Sequence, residues 1–387
     1  MSFELSGRLQ ALPPYLFVEI DKAKRKARQE GRDIIDLGIG DPDQPTPRFI
    51  IDSLYQAAQN PSNHRYALDQ GMPALRTAIA GWYDRRFAVK LDPDTEVLPL
   101  IGSKEGIAHF PLAYINPGDY SLVPDPCYPP YKGGTIFAGG KPYLMPLLAE
   151  NQFLPDLKKI PATVLKKARL LYVNYPNNPT GAVCDGKFYR QILAFARKHK
   201  LIVISDLAYS EMSYDGYQPM SMLEVDGARD CVIEFHSHSK TYNMTGWRVG
   251  WACGNKALVA ALGKVKSNID SGIFSAIQVA AVSALESDQE HVRSMSRLYQ
   301  ERRDALVDGL NGLGWKVQKP RATFYIWAGI PGGRKSIDFA ADVLARADIV
   351  ITPGVGFGAA GEGYVRFALT VDKARMKEAV TRLRAIL

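Results

Sequence analysis

Between Val97 and Cys253 the chain is cut into short apolar runs separated by helical segments, and this alternation narrows the possible folds sharply. The runs are Val97-Leu98-Pro99-Leu100-Ile101, Ser121-Leu122-Val123, Leu170-Leu171-Tyr172-Val173, Leu201-Ile202-Val203-Ile204-Ser205, Cys231-Val232-Ile233-Glu234-Phe235 and Val249-Gly250-Trp251-Ala252-Cys253. Each is long enough for a buried strand and too short for a helix. Helical patterns over 107–115 and 187–199 lie between them. Strands alternating with helices predict an α/β fold, with a mostly parallel sheet flanked by helices on both faces.

The flanks read differently. A helix over 15–30 stops at Gly31, as helices often do at glycine. A strand at 34–37 runs into Gly38-Ile39-Gly40-Asp41-Pro42-Asp43-Gln44-Pro45-Thr46-Pro47. This stretch is either a plain linker or a place where backbone comes close to a ligand. Helices follow at 48–59 and 73–86, with Pro73 suited to a first helical turn. Residues 254–312 are mainly helical, ending in a long helix from about 286. Strand signals at 315–317, 324–327, 349–353 and 364–367, with helices at 336–347 and 372–386, predict a smaller α+β domain. A chain of 387 residues exceeds one usual core. The expected division is 1–45 as the N-terminal part of the small domain, 46–285 as the large domain and 286–387 as the C-terminal part of the small one.

Composition excludes several classes. Hydrophobic content of 46% and charged content of 23% fit a soluble globular chain. No apolar run has membrane-spanning length, and Met1-Ser2-Phe3-Glu4-Leu5 lacks a signal pattern, so the cytoplasm is expected. Four scattered cysteines, with no CxxC, suggest free thiols. The net charge of +8 is spread along the chain without a nucleic-acid reading module, so no nucleic-acid partner is expected.

Four loops follow predicted strands at their carboxyl ends, where open α/β sheets bind ligands. Gly102-Ser103-Lys104 opens a helix and can offer amides to a phosphate, or Ser103 can be an ordinary cap. Asn174-Tyr175-Pro176-Asn177-Asn178-Pro179-Thr180-Gly181 is either a turn or a rigid holder for an amide donor. Asp206, with Tyr209 three residues on, is an acid at a buried strand end that needs a cation or donor. Ser237-His238-Ser239-Lys240, with Arg248 eight residues later, places an amine among phosphate-binding groups; a lysine there can condense with an aldehyde. The set matches what pyridoxal phosphate needs: a phosphate anchor, a partner for its phenolic oxygen, an anion for its ring nitrogen and an amine for its aldehyde. A different reading takes His236-x-His238 as a metal site in a non-catalytic metal- or anion-binding protein. It lacks further ligands at suitable spacing, so no metal is expected.

From end to end the chain resembles the fold-type I, class I/II pyridoxal-phosphate aminotransferases. The motifs are Asn177-Asn178-Pro179-Thr180-Gly181, Asp206-x-x-Tyr209 and Ser237-x-Ser239-Lys240 with Arg248. The resemblance implies pyridoxal 5'-phosphate as cofactor and Lys240 as its covalent anchor and proton shuttle. It implies Asp206 at the ring nitrogen, Asn178 and Tyr209 at the phenolic oxygen, and Tyr128 stacked on the ring. It assigns Ser103, Lys104 through its backbone, Ser237, Ser239 and Arg248 to the phosphate. Tyr66 would reach the partner's site in a homodimer, and Arg366 would grip the substrate α-carboxylate.

Within that family the chain is similar to the LL-diaminopimelate aminotransferases. The shared stretches are 12–17, 37–47, 102–109 and 239–248. This likeness implies a step of lysine biosynthesis, with Tyr15, the Gly40 backbone, Lys104, Tyr128, Asn178 and Arg366 at the substrate. Lys104 can meet a distal carboxylate or be only a helix-start cation. Alanine, aspartate or aromatic amino-acid aminotransfer, or β-elimination, are the alternatives on the same cofactor motifs.

Overall fold

A computed structural model of the chain describes residues 3–12 and 16–387, the side chains of 16–18 apart. Tyr15 lies outside the described residues. The strands in chain order are β1 (Ile35–Asp36), β2 (Val97–Leu100), β3 (Tyr120–Asp125), β4 (Lys141–Pro146), β5 (Ala168–Asn174), β6 (Ile202–Asp206), β7 (Val232–Ser237), β8 (Gly250–Gly254), β9 (Tyr325–Gly329), β10 (Ile349–Val350), β11 (Thr352–Pro353) and β12 (Tyr364–Ala368).

The large sheet has the order β2-β8-β7-β6-β5-β3-β4. Neighbours are parallel from β7 to β4, while β8 runs against both β7 and β2. Side chains alternate between two apolar layers. Leu171, Val173, Val203 and Val232 enter one core, and Leu170, Tyr172, Ile204, Ile233 and Phe235 enter the other. That is the period-two alternation of strands covered on both faces. In a third core, Ile35 and Leu37 pack with residues from Tyr299 to Leu383 and with Tyr209, Met212 and Tyr214. There β12 pairs antiparallel with β11 and β9, and β1 pairs parallel with β10.

Three expectations need correction. The run 315–317 forms no strand: the Asn311 side chain accepts from Val317 N at 2.9 Å and donates to Val317 O at 3.0 Å, taking both ladder groups. The long helix spans Glu290–Gly312, because Gln289 is left-handed at φ 61° and separates it from the helix Ser275–Glu286. Strand β4 was not expected from the sequence. It carries Pro142 and Pro146 and is largely exposed at the sheet's edge, where proline is tolerated.

Strand register lines up the site. Asn174 of β5 stands opposite Asp206 of β6, Asp206 opposite Phe235 of β7, and Ser237 of β7 opposite Gly250 of β8. Leu100, which ends β2 just before the Gly102-Ser103 loop, also faces Gly250. The four ligand-facing loops therefore leave the sheet along one edge.

Candidate active site

One pocket at that edge is lined by Gly40, Ser103, Lys104, Tyr128, Asn178, Asp206, Tyr209, Ser237, Ser239, Lys240, Arg248 and Arg366, together with Asn174, Ala208, Tyr325 and Phe357. Tyr66 is not among its lining residues; it stands 93% exposed on the outside of this single chain.

The loop after β5 is fixed by its own amides. Asn174 Nδ2 donates to Asp206 O at 2.8 Å, and Asn174 Oδ1 accepts from Asn178 N at 2.9 Å. Asn177 Oδ1 accepts from the Thr180 amide and hydroxyl. With Asn174 and Asn177 committed to the loop, the Asn178 side chain is held in the pocket. Its Nδ2 donates to Tyr209 Oη at 3.4 Å and its Oδ1 accepts from Arg366 Nη1 at 2.9 Å.

Asp206 is 5% exposed. Its Oδ2 accepts from Tyr131 Oη at 2.6 Å and its Oδ1 from Ala208 N at 3.3 Å. No basic side chain forms a salt bridge with it among the described residues. Burial pushes its carboxyl up to about 6, against the lowering effect of Tyr131. Tyr131 stacks on Tyr172 at 4.9 Å, so its hydroxyl is aimed by the core. Sequence reasoning missed Tyr131; it lies three residues from Tyr128, and its role appears only once the helix Pro130–Phe137 is packed on the sheet.

Lys240 follows β7 in the one-turn helix His238–Thr241. Its Nζ donates to Gly40 O at 2.7 Å. Burial lowers the amine to about 8, with Arg366 and Arg248 adding to the shift and Asp41 opposing it. A neutral amine is thus available near physiological pH. Gly40 comes close to Tyr325; a Cβ built on it would collide with the Tyr325 hydroxyl. Within the 38–47 stretch, Gly40 thus lies on the pocket wall.

Positive charge and hydroxyls gather on the other side. Ser237 Oγ accepts from Ser239 N at 3.1 Å, and Arg248 Nη1 donates to Thr245 O at 2.8 Å. Gly102 has φ 73°, and a Cβ there would collide with the Arg248 guanidinium, so glycine lets Arg248 reach the start of the helix Ser103–His109. Ser103, Ser237, Ser239 and Arg248 form a cradle suited to an anion.

Arg366 is 3% exposed in β12. Its Nη2 donates to Gly38 O at 2.8 Å, and its guanidinium lies 4.1 Å from the Tyr325 ring centroid and 4.6 Å from that of Phe357. Tyr325 and Phe357 are further pocket residues; the sequence reading placed Tyr325 only in a strand and did not single out Phe357.

The metal reading loses its ligands to the core. His236 stacks on Trp251 at 4.6 Å, its Nδ1 accepts from Ser237 N, and its Nε2 is 2.8 Å from Ser210 Oγ. His238 Nε2 faces Ala281 O at 3.4 Å. Among the described residues no cluster suited to a metal ion is found.

A buried acid without a cation, a largely enclosed amine and an anion cradle share this pocket, and comparison with known proteins gives the same direction. A profile of aminotransferase class I and II matches residues 32–383.

The chain belongs to the class I and II aminotransferase family.

Among curated relatives, the LL-diaminopimelate aminotransferase of Moorella thermoacetica is 56% identical, over 98% of this chain and 97% of that protein. The enzyme of the same name from Syntrophobacter fumaroxidans is 56% identical over the full length of both chains. Among solved structures, substrate-bound BacF from Bacillus subtilis superposes with a TM-score of 0.96 at 40% identity, over 100% of this chain and 98% of that one. This aminotransferase has an α/β large sheet like that of its structural neighbours, and among its described residues no helix is long and apolar enough to cross a membrane.

Proposed function

We propose that this aminotransferase uses pyridoxal 5'-phosphate to interconvert tetrahydrodipicolinate, glutamate and water with LL-diaminopimelate and 2-oxoglutarate, in lysine biosynthesis. The observation that carries the cofactor and the reaction type is the meeting of the Lys240 amine, the Asp206 carboxylate and the Ser103–Ser237–Ser239–Arg248 cradle in one pocket. The residues fit the cofactor on chemical grounds. A carboxyl pushed up by burial calls for a cationic partner, and four anion-binding groups call for a phosphate. The substrate is supported by full-length likeness at 56% identity to relatives bearing that name.

When bound, the cofactor supplies an aldehyde for amines and a protonated ring that takes up the electron pair left at the substrate Cα. Asp206 would keep the proton on the ring nitrogen. Asn178 and Tyr209 would donate to the phenolic oxygen, and Tyr128 would cover the ring. Ser103, the Lys104 amide, Ser237, Ser239 and Arg248 would hold the phosphate. Arg366 binds the α-carboxylate with its planar fork, between Tyr325 and Phe357. Lys240 Nζ would take the Cα proton and hold it for return, a general-base step worth ~10²–10⁴-fold. The Lys104 side chain, exposed at the pocket rim, would meet the distal carboxylate, with the Gly40 backbone beside the substrate.

On the same footing we propose a cytoplasmic homodimer in which Tyr66 serves the partner's phosphate. We also propose that residues 46–285 form one domain, with 1–45 and 286–387 closing the pocket as the other. The assay is glutamate formation from 2-oxoglutarate with LL-diaminopimelate, alanine or aspartate as donor. Turnover fastest with LL-diaminopimelate is expected, and no turnover of that donor overturns the assignment.

A further inference from the structure

We infer that Tyr325 is a positioning residue of this site. Its hydroxyl directs the Tyr209 proton into the pocket, and its ring face holds the Arg366 guanidinium. The inference rests on the cofactor reading above and concerns a residue to whose hydroxyl that reading gives no task.

Tyr325 opens β9 and touches three parts of the machinery. Its hydroxyl lies 3.2 Å from that of Tyr209. Tyr209 Oη already accepts from Asn178 Nδ2 at 3.4 Å. A phenol has one proton to donate and two lone pairs to receive. Either hydroxyl can donate across this contact; once the Tyr209 proton is turned to the phenolic oxygen of the cofactor, Asn178 and Tyr325 are the donors left for the lone pairs of Tyr209. Burial raises the Tyr209 hydroxyl well above its ordinary range, so that proton stays in place through neutral pH. Donors in series polarise one another, so the Tyr325 hydroxyl strengthens the one Tyr209 offers.

The second contact follows from sheet register. Arg366 stands opposite Trp327 and Tyr325 opposite Ala368, which makes Tyr325 and Arg366 diagonal neighbours on one face of the β9–β12 pair. The Tyr325 ring lies 4.1 Å under the guanidinium carbon. The third contact is Gly40, whose carbonyl accepts from Lys240 Nζ and whose Cα packs against the Tyr325 hydroxyl. One side chain thereby sets the direction of a donor to the phenolic oxygen, the plane of the carboxylate-binding arginine and the position of the carbonyl that holds the lysine.

The two roles separate by substitution. Tyr325→Phe keeps the ring and removes the hydroxyl, while Tyr325→Leu removes both. The proteins are loaded with pyridoxal 5'-phosphate, the visible band is titrated with pH, and kcat and KM for the amino donor are measured. A weaker Tyr209 donor leaves the phenolic oxygen more basic. Tyr325→Phe should therefore move the titration up by about 0.5–1 pH unit and lower kcat, with KM within about twofold of wild type. Tyr325→Leu should in addition raise KM about tenfold, as loss of a desolvated cation–π contact implies. Tyr299→Phe, which removes a buried hydroxyl outside the pocket, should leave the titration unchanged. A Tyr325→Phe protein that titrates with wild type, or whose KM rises as far as that of Tyr325→Leu, overturns the inference. A wild-type protein that develops no visible band overturns the cofactor reading itself, and the two failures are distinct.

Discussion

Asp206 and Glu234 are buried carboxylates on adjacent parallel strands, and their surroundings are opposite. Glu234 is fully buried and accepts from Tyr83, Ser205, Ser221 and the Met222 amide. These donors come from three parts of the chain, so Glu234 ties the frame behind the site together. Asp206, at the pocket end of β6, has the Tyr131 hydroxyl and one long amide contact. The same contrast holds for two lysines. Lys266 is 1% exposed and paired with Glu105 and Asp270, whereas the Lys240 amine donates to a neutral carbonyl. Glu234 and Lys266 in the frame are satisfied inside the protein, while Asp206 and Lys240 in the pocket form no salt bridge among the described residues. Polar groups of the second kind cost stability when no ligand is bound, which is how functional sites depart from the rest of a fold.

That difference can be broken at several points. Lys240→Ala should lower glutamate formation by about 10³-fold or more, since it removes the base as well as the covalent anchor. Lys266→Met acts through folding, so its effect should appear in the urea midpoint of the cofactor-free protein. Glu234→Ala strands several buried donors and should destabilise that protein by about 3 kcal/mol or more by urea unfolding. Asp206→Asn should do the reverse.

The Asp206 carboxyl is raised from 3.8 to about 6, and a raised acid contributes stability that is full below 3.8 and lost as pH rises through 6. The Asp206 contribution should therefore fall between pH 4 and 6, by on the order of 3 kcal/mol, while buried His236 and His238, held below their ordinary range, add stability as pH rises through the same window. The effect is read as the difference between the two proteins: Asp206→Asn should gain stability relative to wild type as pH rises through 6, while losing activity. If Asp206→Asn is destabilised like Glu234→Ala, the contrast between frame and pocket is wrong. The smallest effect is on Lys240 itself: amine-directed labelling of the cofactor-free chain should show it half-reactive near pH 8. Labelling that follows an ordinary lysine, near 10.5, would contradict the burial of the amine.

What the sequence made legible follows the same line. Asp206, Asn178 and Lys240 sit at or just after strand ends, so a local pattern was enough to place each at the binding edge of the sheet. Tyr131 and Tyr325 touch Asp206 and Arg366 only because a helix and a second sheet fold over that edge, and no local spacing announces such a contact. Glu234 lies inside an apolar run; its meaning needs Tyr83, 151 residues away in the chain, and Ser221, 13 residues away. The run 315–317 has the composition of a strand, yet the Asn311 side chain claims its backbone groups. Strand β4 was hidden by its two prolines, which an edge position tolerates.

The central claim is that the Lys240 amine is the group in this pocket that the cofactor meets. Borohydride reduction of the protein loaded with pyridoxal 5'-phosphate, followed by peptide mass mapping, tests it most directly. A phosphopyridoxyl group on Lys240, absent from Lys240→Ala, is the predicted result. A stable adduct on Lys104 or another lysine with Lys240 unmodified would contradict it.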